Sequence, residues 1–132
     1  MGRAPHKPLL LLSVLDGVDQ GWIQDRQIEL SQQLIETFFM YWNAIMGEER
    51  HTTIALPYFY MKSEPFWSLE YKEGRQEYQS APSLGGLKDR VKYAVIEEEL
   101  FELMLQSDTR EIIRNLISTT YFSLEAQDEL TE

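Results

Sequence analysis

Two side chains in this chain of 132 residues titrate near neutrality without help, His6 and His51. There is no cysteine, which removes thiolate nucleophiles, disulfides and Cys-based zinc sites. No serine sits in a nucleophile motif, and no His or carboxylate cluster has metal-ligand spacing. The nearest approach to a phosphate loop, Leu84-Gly85-Gly86-Leu87, lacks the lysine and the preceding strand. Glu97-Glu98-Glu99 reads as the first turn of a helix, where carboxylates meet the positive end of the dipole. The chain by itself therefore reads as a binding module rather than an enzyme, with no cofactor expected.

Charge narrows what it can bind. Twelve Lys and Arg against 22 Asp and Glu give a net charge of −10. A field of that sign repels phosphates at long range, so any nucleic-acid binding needs a local basic patch. Residues 60–92 are one charge positive through Lys62, Lys72, Arg75, Lys88, Arg90 and Lys92, whereas residues 93–132 hold ten acids and two bases. Ordinary surface charge on a hairpin and loop would give the same distribution.

These residues need elements to hold them. A hydrophobic share of 43% with 12% aromatics excludes a disordered chain, and the length suits one domain. Pro8 fits the first turn of a helix running to about Val18, with leucines on every face. The run Leu9 to Leu15 is too short for a signal core or a membrane span, and no small-x-small cleavage site follows. We therefore expect a cytoplasmic protein with no membrane partner. Ser31 is placed to cap a second helix carrying Leu34, Ile35, Phe38, Phe39, Trp42, Ile45 and Met46, closed by Gly47. Thr52–Tyr60 and Phe66–Glu70, rich in β-branched and aromatic residues, predict two strands in a hairpin. Residues 71–86 predict a long surface loop and Val91–Ile96 a third strand. A helix follows Glu97, and Asp108 with Glu111 suggests a capping box for a last helix. Its expected buried stripe is Ile112, Ile113, Leu116, Ile117 and Tyr121. Met40, Met46 and Met61 are expected to fill the core, together with Trp42, Phe66 and Trp67. The expected fold is α+β: a predominantly helical single domain over residues 1–122 with a small antiparallel hairpin or three-stranded sheet. Residues 123–132 form an acidic tail or linker.

The run Ala4-Pro5-His6-Lys7-Pro8-Leu9-Leu10-Leu11-Leu12 resembles the DNA sulfur-binding domain that precedes the HNH nuclease in McrA-type, type IV restriction endonucleases. The similarity continues through Phe38, Tyr41-Trp42, Ile54-Ala55-Leu56-Pro57-Tyr58-Phe59-Tyr60-Met61, Phe66-Trp67-Ser68-Leu69 and Thr120-Tyr121-Phe122. It spans nearly the whole chain, and the His-Lys-Pro-Leu run and Pro-Tyr-Phe…Phe-Trp spacing are specific in combination. In this family the residue before the proline is often Tyr where this chain has Leu56, and the position of Tyr60 is small in some members.

The resemblance implies a partner, double-stranded DNA carrying a phosphorothioate linkage, and an HNH nuclease domain in cis or in trans that the module would target. Sulfur in place of a non-bridging oxygen is larger, softer and less hydrated, while the diester keeps its charge. A reader of that group wants an apolar cup, since burying sulfur forfeits little hydration, with a cation beside it. By resemblance Pro57 is the floor, Leu56 and Tyr60 the walls, and Lys7 the cation, with His6 donating to a neighbouring phosphate or base edge. Arg3, Arg75, Gln79, Ser80 and Lys88 are candidates for backbone or base contacts by location. All of this requires Lys7 and Pro57, fifty residues apart, to meet in space. The rival expectation is a protein-interaction or regulatory module of the same fold that has lost sulfur recognition.

Overall fold

The computed structural model describes residues 5–131. Helix α1, His6–Gln20, runs through the middle of the molecule, with Leu9, Leu10, Leu12, Val14 and Leu15 all at 1% exposure or less. It ends two residues past Val18, within residues 17–21 where a stop was expected, and Gly21 there adopts a left-handed φ of 87°. The amides of Gly21, Trp22 and Ile23 all converge on the Gly17 carbonyl. A Cβ on Gly17 would come within 3 Å of the Ile23 and Trp22 side chains, which lie directly against the helix there.

Strand β1, Gln27–Ile28, leads to helix α2, Gln32–Met46. Ser31 Oγ accepts from the Leu34 amide at 3.1 Å, and Gly47 closes the helix, both as expected. Next comes helix α3, Ala55–Tyr60, followed by a single 3-10 turn, Met61–Ser63. This corrects the strand expected over Thr52–Tyr60. Ile54, Ala55, Tyr58 and Phe59 are all at 0% exposure. Their i, i+4 spacing gives this β-rich sequence one helical face to bury, and that burial outweighs its intrinsic β-preference. Pro57 sits in the first turn, where it removes no needed donor.

Strand β2, Trp67–Tyr71, forms where expected, but its partner is β3, Val91–Ile96, and not the preceding segment. The antiparallel sheet has the order β1-β3-β2, with Leu69 and Ile28 both registered against Ala94 and an irregularity between Glu70 and Tyr71. The Tyr58 hydroxyl is inserted between strands: it donates to the Ile28 carbonyl at 2.5 Å and accepts from the Ala94 amide at 2.8 Å. The loop expected over residues 71–86 is shorter, 72–83: Tyr71 belongs to β2, and residues 84–86 open helix α4, Leu84–Arg90, with Ser83 as its cap.

Helix α5, Glu98–Leu105, is capped by Glu97, whose carboxylate accepts from the Glu99 and Leu100 amides at 3.0 Å. Those bonds hold the Glu97 carboxyl below its ordinary value. Helix α6, Ser107–Tyr121, starts without a capping box: Glu111 pairs with Arg114 instead. Its inward face matches the expected stripe at Ile117 and at Ile113, which packs against the core, but not at Ile112, Leu116 or Tyr121. Arg110 and Ile117 are buried, while Ile112, Leu116 and Tyr121 are 58%, 60% and 48% exposed. Two arginines turn the helix. Arg114 pairs with Asp16 and Arg110 with Asp19, each at 2.8 Å, so Ile112 and Leu116, about 200° around the helix from Arg110 and Arg114 respectively, face water. Tyr41 Oη also donates to Asp16, at 2.5 Å. Burial and that carboxylate push its phenol well above the ordinary value. Residues Leu124–Thr131, expected as a tail, form helix α7, which packs on α2. Met61 fills the core as expected, whereas Met40 is exposed and Phe66 only half-buried. The architecture is a single α+β domain of seven helices and one small antiparallel sheet among the described residues. No helix there is long and apolar enough to cross a membrane.

Candidate functional site

The first turn of α1 and one face of α3 line a shared cleft of about 880 Å³. From the N-terminal side come Pro5, His6, Lys7, Pro8 and Leu11. Pro5 gives its carbonyl to the Leu9 amide at 3.1 Å, and Pro8 has no amide to satisfy. Helix α1 can therefore begin at His6 with its two polar side chains at the mouth. From α3 come Leu56, Pro57 and Tyr60. Leu56 and Tyr60, one turn apart, are 37% and 45% exposed, with Pro57 buried beside them. Met61, Glu64 and Phe66 follow in the chain, and α6 closes the far wall with Ile117, Thr120 and Tyr121. Lys7 and Pro57 thus share one cleft, with Leu56 and Tyr60 alongside.

The cation in this cleft is not free. Lys7 Nζ donates to Ser63 Oγ at 2.7 Å and lies 3.2 Å from Glu64 Oε2. The 3-10 turn after α3 positions both partners: the Glu64 amide donates to the Met61 carbonyl at 2.9 Å and the chain then leaves through Pro65. His6 is engaged as well. Its Nε2 is 2.8 Å from Thr52 Oγ1, and its ring lies 4.6 Å from that of Trp42. Burial pushes the imidazole below its ordinary pKa, so at neutral pH the ring is uncharged. Thr52 thus engages one of the two ring nitrogens of the imidazole expected to serve a phosphate or base.

The loop residues lie elsewhere. Arg75 pairs with Asp89 at 3.1 Å, and Lys72 Nζ donates to the Lys88 carbonyl at 2.8 Å. Arg90 stacks on the Tyr78 ring at 4.5 Å and reaches the Gln76 carbonyl, so much of the basic segment is spent bracing its own loop. Gln79, Ser80 and Lys88 are outside the cleft lining, and all three are exposed. One bond links this loop to the cleft, from the Ala81 amide to Tyr60 Oη at 3.5 Å. Arg3 lies outside the described residues.

Chemically, the cleft offers apolar walls and one compensated cation. It suits a weakly hydrated group carried on an anion able to exchange with a carboxylate. Among the described residues no group of three or more His, Asp or Glu is placed to hold a metal. Sequence reasoning missed Ser63, Glu64 and the α6 wall. Nothing in local periodicity links Lys7 to a partner 57 residues away, and the α6 residues were assigned to the core. Compared with known proteins, the chain matches no family model and no curated sequence at a significant level.

Proposed function

We propose that the cleft reads a phosphorothioate diester in duplex DNA, and that the module brings a nuclease of the HNH type, in cis or in trans, to that linkage. The observation that carries this is the meeting of Lys7 with Pro57, Leu56 and Tyr60 in one cleft. The sequence resemblance demanded that meeting, and the spacing along the chain did not guarantee it. Sulfur would lie against Pro57 between Leu56 and Tyr60, where a normally hydrated phosphate oxygen would be stripped of water without a partner. Lys7 would pair with the remaining anionic oxygen.

Fluorescence anisotropy tests it, comparing a short duplex bearing one Rp phosphorothioate with the identical unmodified duplex. We expect selective binding of the modified duplex by the wild type and its loss in Lys7→Ala. Equal binding of both duplexes would leave a generic DNA binder.

A second reading has its own support: the cleft's cation is already paired within the chain, while Leu56 and Tyr60 are exposed. A protein-interaction module of the same fold would look like this. Failure to bind either duplex even at low salt would favour it.

A further inference from the structure

The ion pair inside the cleft is an odd feature for a site that must capture an anion. Glu64 holds the ammonium that a diester would need, and Ser63 holds the same ammonium beside it, with its Oγ 3.4 Å from the same carboxylate oxygen. Both charged side chains remain well exposed, at 36% and 41%, so neither is locked in by packing. The carboxylate is thus a resident competitor, of the same charge as the ligand and exchangeable with it.

We infer that Glu64 is an autoinhibitory contact: it occupies Lys7 in the free protein so that an ordinary phosphate gains little by entering the cleft. This rests on the proposed reading of phosphorothioate DNA. The physics is a subtraction. Displacing Glu64 frees a carboxylate into water and gives Lys7 a new anion, so the charge-pairing gain nearly cancels for any diester, modified or not. What remains is the contact between the sulfur and the apolar walls at Leu56, Pro57 and Tyr60, which an oxygen cannot supply. A bare cation would bind both diesters more tightly by a similar factor. Glu64 thus sets an affinity threshold that an ordinary diester fails to clear and that a phosphorothioate, with the wall contact added, can clear. The net charge of −10 acts in the same direction at long range, and Glu64 does so at contact distance.

Glu64→Gln keeps the size and hydrogen-bonding reach of the side chain while removing its charge. Its affinities for the Rp phosphorothioate duplex and the unmodified duplex are measured by anisotropy beside wild type, Lys7→Ala, the double variant, and Glu73→Gln. Glu73 is an exposed loop carboxylate and controls for the loss of one negative charge anywhere. We expect Glu64→Gln to tighten binding of both duplexes by about the same two- to fivefold, leaving the ratio between them close to that of the wild type. With Lys7→Ala the effect should shrink to that of Glu73→Gln.

Selective wild-type binding with Glu64→Gln indistinguishable from Glu73→Gln overturns the role of Glu64 and leaves the sulfur reading intact. A wild type that binds neither duplex, beside a Glu64→Gln variant that binds both equally through Lys7, supports Glu64 as the competitor and overturns sulfur selectivity. Failure of every variant on both duplexes overturns the two together.

Discussion

Tyr58 does the work of a backbone group. Its hydroxyl stands between β1 and β3, taking the Ala94 amide and serving the Ile28 carbonyl. Burial pushes the phenol far above its ordinary value, so the proton needed for the Ile28 bond stays in place. Tyr58→Phe would leave a buried amide and a buried carbonyl facing each other with no bridge. We expect a loss of about 1–3 kcal/mol in urea unfolding with an unchanged slope. A loss below about 0.5 kcal/mol would show that the strands close without the hydroxyl. At this scale the sequence was uneven in what it disclosed. Lys7 and Pro57 stood out only because the runs that carry them, residues 4–12 and 54–61, resemble a sulfur-binding domain. Glu64 did not, because a carboxylate before Pro65 looks like any turn residue until its partner is known.

Among the elements, α6 has the least obvious placement and the clearest cause. Its orientation follows from Arg110 and Arg114, which reach the α1 carboxylates Asp19 and Asp16. A pattern built on hydrophobic residues alone counts both arginines as surface and turns the helix the wrong way. The Arg114–Asp16 pair is largely buried on both sides, so removing one member strands the other. Asp16→Ala should cost about 2–3 kcal/mol in chemical denaturation, and Asp16→Leu with Arg114→Met should recover most of it. A double variant as unstable as the single one would show that the charges themselves hold α6 in place. The legible elements were those whose caps and periods agreed, α2 with Ser31 and Gly47 above all. Helix α3 was misread because it is six residues long and its composition favours strands. Only the tertiary burial of Ile54, Tyr58 and Phe59 decides the matter.

For the molecule as a whole, charge sets the terms on which DNA can approach. Lys7 is the one cation lining the cleft among the described residues, and three of the loop's bases brace their own segment. Affinity for the modified duplex should therefore fall shallowly with salt, with a log–log slope of about −1 to −2. Screening of the overall repulsion flattens the slope further. Anisotropy titrations across a salt series check this, and a slope near about −5 would place Arg75, Lys88 and their neighbours on the DNA as well. The cleft's walls also come from distant stretches of the chain, the first near residues 5–11 and the last at 117–121. On the ribosome the Lys7 side emerges roughly 5–20 s before the α6 side, at ordinary synthesis rates. Until Ile117 and Tyr121 arrive the nascent chain has no far wall to its cleft. On the proposed reading, a half-made module would lack the enclosed cleft needed to hold a phosphorothioate.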